Sequence, residues 1–146
     1  MGAAFHPITY GGIAWSTNSE DPVYLELREG YYESAETSGT DEQPVGGTGM
    51  WPRNHPARSR RIILVGHIRG IGSTDLAKAQ FYEFHQELMR AAFEEGVTKV
   101  LGLTTPAGTA MQINARTEVR EFEKYVGWVC SVTIGQISTD PRWAAV

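Results

Sequence analysis

The 146-residue sequence contains a single cysteine, Cys130, and no apolar run that approaches the ~20 residues of a transmembrane helix. One cysteine cannot form an internal disulfide. Its place in an alternating apolar segment predicts a small buried hydrophobic residue rather than a reactive thiol. Residues 1–7 carry neither the basic nor the apolar region of a signal peptide. We therefore expect a protein that is neither secreted nor membrane-inserted and that suits a reducing cytoplasm.

The sequence also lacks the short motifs that identify many enzymes. It has no G-x-S-x-G elbow for a nucleophilic serine. Its histidines form no i, i+4 pair and have no cysteine cluster nearby, so they give no zinc signature. They lie far apart along the chain: His6, His55, His67 and His85. We predict no catalytic residue, no metal site and no cofactor.

Three glycines form the one motif that suggests a nucleotide. Gly66, Gly70 and Gly72 lie between an apolar strand and a capped helix, where glycines let a backbone approach a pyrophosphate. The spacing resembles the cofactor loop of short-chain dehydrogenases. However, no tyrosine is followed by a lysine four residues later, and the next strand ends at Leu103-Thr104-Thr105 without an acid for a ribose. A structural turn is the preferred interpretation, and a nucleotide-binding domain is the non-structural alternative.

Aromatic residues leave one further binding alternative open. Stacked aromatic side chains are a common way to bind sugars, and four residues are candidates for such a surface: Trp15, Tyr31, Tyr32 and Trp51. They come from two strand edges and a loop, and the sequence does not show that they converge.

Charge is separated along the chain, although the net charge is only −4. Residues 20–42 carry eight acids against Arg28 alone, whereas residues 51–70 carry five arginines and no acid. Two such surfaces are either solvated or meet head to tail between neighbouring copies, a contact geometry that closes rings. Because the basic stretch is short and lies on an expected core strand, it does not favour nucleic-acid binding.

Apolar periodicity predicts six or seven strands around one helix. The strands are expected at 8–15 (a pair around Gly11-Gly12), 23–31, 61–69, 97–103, 110–118 and 127–137. A cap at Ser73 or Thr74 and helical spacing up to Gly96 predict a helix over about 74–95. Its core face is expected to include Leu76, Phe81 and Phe84. The predicted fold is α+β, mainly β: a β-sandwich or split barrel with one flanking α-helix.

Residues 33–59 interrupt this pattern. They are rich in glycine, serine, threonine, glutamate and proline and lack periodicity, so we predict a long loop within a single domain, 1–146. Loops of this length are usually functional or disordered. Val45, Met50 and Trp51 are apolar islands in it, which suggests that part of the loop docks against something.

The last strand runs into Asp140-Pro141-Arg142-Trp143. Pro141 ends the strand, and the planar groups of Arg142 and Trp143 suit stacking, a combination typical of a domain exit. The order of features resembles the first domain of the distal tail proteins of long-tailed, siphovirus-type bacteriophages. The matching segments are Pro44-Val45-Gly46-Gly47-x-Gly49, Trp51-x-Arg53, Arg61-Ile62-Ile63-Leu64-x-Gly66-x-Ile68-x-Gly70, Val100-Leu101-Gly102-Leu103, Pro106-Ala107-Gly108-Thr109, Gln112-Ile113-Asn114-Ala115-Arg116 and Gly127-Trp128 through Asp140-Pro141-Arg142-Trp143.

The resemblance implies a structural role in the virion rather than catalysis. It implies a homohexameric ring at the tail tip that joins the tail-tube protein to the baseplate hub, or tail-associated protein, around the tape-measure protein. DNA would be a partner only in transit, with no membrane involved, and the chain would be made in the host bacterial cytoplasm. We expect the carbohydrate-module-like second domain of that family to be missing here. A tail-tube or tail-terminator ring protein is the structural alternative.

Such a ring suggests roles for the charged residues. A ring that passes DNA should have an acid-rich lumen, since acids do not hold phosphate. Four acids are predicted to face that lumen: Glu33, Glu36, Asp41 and Glu42. Four residues of the basic stretch are predicted at the subunit interface: Trp51, Arg58, Arg60 and Arg61.

Overall fold

The computed structural model describes residues 7–32, 39–42, 51–54 and 59–146. Ten strands and one helix occur in these ranges. The strands are β1 (Ile8–Tyr10), β2 (Ile13–Trp15), β3 (Val23–Glu29), β4 (Gly39–Glu42), β5 (Trp51–Asn54), β6 (Arg61–Arg69), β7 (Thr98–Thr104), β8 (Ala110–Tyr125), β9 (Val129–Ser138) and β10 (Ala144–Ala145). The helix, α1 (Asp75–Ala92), lies between β6 and β7.

Eight strands form one antiparallel sheet in the order β2-β1-β7-β8-β9-β6-β3, with β10 added to β8. The long strands β6 and β9 pair along their whole length, with Leu64 opposite Ile134. β4 and β5 pair with each other in a separate two-stranded hairpin. The main sheet is therefore built around β6, β8 and β9.

The main sheet curls until its two outer strands meet. The backbone N–H of Leu25 in β3 donates to the carbonyl oxygen of Ser16, just after β2, at 2.8 Å. Trp15 and Leu25 are both buried in the core at this junction. The predicted α+β, mainly β fold with one flanking helix is confirmed. Of the two predicted architectures, β-sandwich and split barrel, the curled single sheet corresponds to the split barrel.

The core lies between α1 and the inner face of the sheet. Alternate residues of β6 and β9 point into it, including Leu64, Ile68, Val132 and Ile134, as the two-residue period of a strand requires. Cys130 is 1% exposed and belongs to the same cluster. The prediction that this cysteine is a small buried hydrophobic residue is confirmed.

α1 begins where the sequence predicts. The side-chain Oγ1 of Thr74 accepts a hydrogen bond from the backbone N–H of Ala77 at 3.1 Å, and Asp75 in the first turn complements the helix dipole. The helix ends at Ala92, within the predicted range.

The predicted core face of α1 is wrong at two positions. Leu76 and Phe84 are 69% and 64% exposed, whereas Tyr82 and Met89 are buried. The reason lies in the sheet, because the Met89 sulfur lies directly over Gly66, which has no side chain to keep it away. The buried face of α1 is therefore not the face that the spacing of its apolar residues predicts.

Two predicted boundaries also differ. β8 continues to Tyr125 instead of ending at Glu118, with a β-bulge between Thr117 and Val119 that breaks the simple alternation. The stretch predicted as an unbroken loop, 33–59, contains β4 and β5. Glycine, aspartate, proline and asparagine, which these two strands contain, have low β-propensity. The pairing between β4 and β5 therefore stabilises this hairpin, rather than the intrinsic propensity of its residues.

Candidate functional site

The segment after β9 is held against the end of β3. The indole Nε1 of Trp143 donates to the carbonyl oxygen of Gly30 at 2.9 Å, and Nη1 of Arg60 donates to the same oxygen at 3.3 Å. Nε of Arg60 also donates to the carbonyl oxygen of Pro141 at 3.1 Å. Gly30 has φ of +115°, a conformation that favours glycine. We call Gly30, Arg60, Pro141 and Trp143 the exit clamp.

The rings of Tyr31 and Tyr32, which follow Gly30 in the chain, lie next to the exit clamp. The ring of Tyr31 lies 5.6 Å from that of Trp143 at an interplanar angle of 49°, and Tyr32 meets Tyr31 edge-on at 5.0 Å. Trp143 thus makes an aromatic contact, although a tilted one, while Arg142 is exposed. The exit clamp therefore ties the Asp140-Pro141-Arg142-Trp143 motif to the residues that precede the 33–59 stretch.

The predicted sugar-binding surface is not assembled as proposed. Trp15 is only 5% exposed, and its ring packs 5.9 Å from that of Phe93 in the core. It cannot stack on a sugar from there. Tyr32, by contrast, is 76% exposed.

The structure describes two of the four predicted lumen residues. Asp41 and Glu42 are in β4, in register with Pro52 and Trp51 of β5. Two predicted lumen residues, Glu33 and Glu36, lie outside the described residues. That these four acids face a lumen stays a prediction.

The predicted interface residues have different positions. Trp51 is on β5, and Arg58 lies outside the described residues. Arg60 bonds carbonyl oxygens of its own chain in the exit clamp, whereas Arg61 begins β6 and is exposed. Their role in a subunit contact stays a prediction.

An apolar depression lies on the outer face of the sheet, opposite the core. It forms beside Gly135, which carries no side chain, and the β8 bulge turns Val119 toward it, where Val119 is 47% exposed. Its lining includes Arg61, Ile63, Glu118, Val119, Gly135 and Ile137. We call this feature the outer depression. Neither Gly135 nor Val119 gave a signal in the sequence, since the depression depends on the register of three strands.

The glycine motif after β6 packs against α1. A Cβ atom at Gly70 would lie 2.4 Å from the carbonyl oxygen of Lys78, and one at Gly72 would lie 2.6 Å from Cβ of Ala77. The N–H of Gly70 donates to the carbonyl oxygen of Trp128 at 2.7 Å. The close approach of the helix therefore accounts for these glycines, which supports the interpretation as a structural turn.

The described histidines make local contacts. The ring of His67 stacks on Tyr24 at 4.5 Å, and its Nε2 lies 3.3 Å from Oε1 of Glu26. His85 lies on α1, where its Nδ1 is 3.0 Å from the carbonyl oxygen of Phe81. Two histidines lie outside the described residues: His6 and His55. Across the residues that the structure does describe, no three histidine, cysteine or acidic side chains converge as metal ligands would.

Tyr82 of α1 and Cys130 of β9 form a buried pair between the helix and the sheet. Burial raises the pKa of Tyr82 to about 12, and its contact with Cys130 acts in the same direction. Burial also raises the pKa of the Cys130 thiol. Because a reactive cysteine needs a lowered pKa and access to solvent, Cys130 has the character of a core residue.

Comparison of the chain with protein-family models and with curated protein sequences finds no match. In the described part of the chain, no helix combines the length and the apolarity that a membrane crossing requires. The choice among functions therefore depends on the motif order and on the contacts above.

Proposed function

We propose that this chain is a structural component of a bacteriophage tail tip, which forms a ring adaptor between the tail tube and the baseplate hub. The observation that carries the proposal is the exit clamp. The Asp140-Pro141-Arg142-Trp143 motif gives the resemblance to distal tail proteins much of its weight, and Trp143 folds back onto Gly30 of the same sheet. The motif is therefore folded onto the sheet of this domain.

The exposed surface also supports a role in assembly. Leu76 and Phe84 on α1 and Val119 on the outer face are large apolar residues that remain well exposed. We take these exposed apolar side chains, on both faces of the domain, as candidate contacts with other copies of the chain. In this proposal such contacts hold a homohexamer.

The proposed partners follow from the tail-tip position. The ring would contact the tail-tube protein on one side and the baseplate hub, or tail-associated protein, on the other, with the tape-measure protein and then DNA passing through it. The chain would act in the virion, without catalysis or a cofactor, after synthesis in the host bacterial cytoplasm.

Light scattering coupled to size exclusion over a concentration series, with negative-stain imaging of the largest species, tests the proposal. We expect discrete six-fold rings that stop at one layer. Stacked tubes would favour the tail-tube alternative, because tube proteins polymerise whereas adaptors do not. A chain that stays monomeric throughout and does not bind purified tail tubes would contradict the proposal.

A ligand screen tests the nucleotide alternative. Any ligand of the native state raises the melting temperature by mass action. We expect no shift with NAD or NADP. A reproducible rise in melting temperature with either cofactor would instead favour a nucleotide-binding domain.

A further inference from the structure

β8 is longer than the strand on one of its sides. On one side β9 pairs with β8 as far as Tyr125, whereas on the other side the pairing with β7 ends at Arg116. The N–H of Gly96 then donates to the carbonyl oxygen of Thr117 at 2.8 Å. Beyond that bond, no described residue pairs with the backbone of β8 on this side. The stretch from Val119 to Tyr125 therefore has one unpaired edge, which we call the free edge.

The free edge is open to an added strand. The outer strands of the main sheet, β2 and β3, meet each other where the N–H of Leu25 donates to the carbonyl oxygen of Ser16, so their edges are partly used. Unpaired N–H and C=O groups along a strand, by contrast, can pair with an extended segment of another chain. The free edge is largely exposed and contains no proline, which would remove a donor. Its backbone groups are therefore available for pairing.

Two acids mark the outer face of the free edge. Glu121 and Glu123 are two residues apart on one strand, so they point to the same face of the sheet. Both are exposed, and neither forms an ion pair with a described residue. Their neighbours on β9 are uncharged, with Thr133 opposite Glu121 and Ser131 opposite Glu123. This face of the free edge therefore carries two negative charges.

The cations of the free edge lie on the other face, where they have partners. Nε of Arg120 lies 3.5 Å from Oε1 of Glu95, and its Nη1 donates to the carbonyl oxygen of Arg90 at 2.6 Å. Nζ of Lys124 lies 5.0 Å from the ring centroid of Trp128, a cation–π contact. These cations therefore leave the two glutamates on the outer face without a counter-charge on the same face of the strand.

The described strands of a second copy do not suit the free edge. Two free edges paired antiparallel around Phe122 would place Glu121 opposite Glu123, and like charges directly opposite each other destabilise a sheet. β4 carries two acids of its own, and β5 contains a proline, which lacks an N–H donor. The chemistry therefore favours a different polypeptide, with basic side chains where it meets the two glutamates.

We propose that the free edge binds an extended basic segment of another protein, which adds to the sheet as a strand beside β8. The backbone of this segment pairs with the N–H and C=O groups that β8 leaves unpaired. Its basic side chains lie beside Glu121 and Glu123, and its apolar side chains lie on the opposite face, beside Phe122. The contact does not depend on whether the chain forms a ring.

A synthetic peptide in which lysine and valine alternate tests the charge of the partner. Fluorescence anisotropy measures its binding to the wild-type protein, and a peptide with glutamate in place of lysine is the comparison. We expect the lysine peptide to bind at least about ten-fold more tightly, with an affinity that falls as salt is added. Equal binding of the two peptides, or no binding of either, would overturn the proposal.

A pair of charge reversals locates the binding. Glu121→Lys combined with Glu123→Lys should weaken binding of the lysine peptide at least about ten-fold and allow the glutamate peptide to bind. Glu20→Lys combined with Glu83→Lys is the matched control, because these two acids are also exposed but lie outside β8. We expect unchanged melting temperatures for both double variants. Equal losses of binding in the two would mean that the overall charge attracts the peptide, and the free edge would not be its site.

N-methylated peptides test the backbone pairing. Along a strand, the N–H groups of successive residues point to opposite edges, so only every second N–H of the peptide can face β8. Two lysine peptides, one methylated on its odd-numbered amides and the other on its even-numbered amides, should therefore differ at least about ten-fold in affinity. If the two bind equally, the peptide does not add to β8 as a strand and the proposal is wrong.

Discussion

Trp143 donates its indole hydrogen bond to the carbonyl oxygen of Gly30, a residue 113 positions earlier in the chain. The same oxygen accepts a second hydrogen bond from Arg60. A carbonyl oxygen has two lone pairs, so both bonds can form at once. One backbone oxygen therefore connects the end of β3, the residue before β6 and the segment after β9.

Substitution of Trp143 separates its hydrogen bond from its packing. Trp143→Phe keeps an aromatic ring beside Tyr31 but removes the donor, so we expect a loss of ~1 kcal/mol in the free energy of unfolding. Trp143→Ala removes both the donor and the ring, and we expect it to lower the free energy of unfolding by about 2–3 kcal/mol. This loss is smaller than is usual for a fully buried tryptophan, because Trp143 is half-buried. Urea unfolding measures both, with exposed Arg142→Ala as the control. Equal losses for the two Trp143 variants would show that the ring does not contribute through packing.

Gly70→Ala should destabilise the turn before α1. Its Cβ would lie 2.4 Å from the carbonyl oxygen of Lys78, a backbone atom that cannot move without shifting the helix. We expect a loss of about 2–3 kcal/mol in the free energy of unfolding, typical of overpacking. Gly135→Ala is the matched control, since its Cβ meets only an ordinary contact. A Gly70→Ala protein as stable as this control would mean that the turn has room for a side chain.

Tyr82 should make the protein less stable at high pH. Its pKa is about 12 in the folded chain against an ordinary value of 10.0, so the unfolded chain loses the phenolic proton first as the pH rises. Stability from this group is complete below pH 10 and is lost as the pH rises toward 12. We expect unfolding free energies of wild type and Tyr82→Phe to converge or cross as the pH rises above 10. If the two unfolding free energies instead changed in parallel with pH, the raised pKa of Tyr82 would be contradicted.

Gln136 and Thr117 test a buried polar contact. Nε2 of Gln136 donates to Oγ1 of Thr117 at 3.0 Å, while Oε1 of Gln136 is buried without a partner among the described residues. Thr117→Val removes the acceptor and should cost about 1–3 kcal/mol, because a buried amide donor is left unsatisfied. Gln136→Met replaces the amide by an apolar group of similar shape and should cost less than about 1 kcal/mol. Chemical denaturation of both variants checks the order, and a larger loss for Gln136→Met would reverse the interpretation.

Elements with strong local patterns were predictable from the sequence. β6 occupies 61–69 as predicted, because a run of branched apolar residues between turn signals fits a central strand. The N-terminus of α1 was predictable because Thr74 is a good cap and Asp75 favours the first turn. Such features depend on neighbours in the chain, which a single sequence shows.

Features that depend on distant residues were not predictable. The buried face of α1 follows from the space above Gly66, which only the fold brings under Met89. The stacking tendency of Trp143 was visible, but its acceptor Gly30 carried no signal. Arg60 lies in a basic stretch that suggested a subunit interface, and nothing local indicated its bonds within the exit clamp.

The two outer strands of the curled sheet, β2 and β3, meet along a line that we call the seam. β6 and β9 are in register over nine residue pairs, whereas at the seam the backbone bond from Leu25 to Ser16 follows directly after the short strand β2. Sheets open first where few buried contacts and hydrogen bonds must be broken. Local breathing should therefore begin at this line, where the Leu25 amide would exchange its hydrogen sooner than amides inside β6. Trp15, packed beneath the seam, would be the first large core side chain to meet water when it opens.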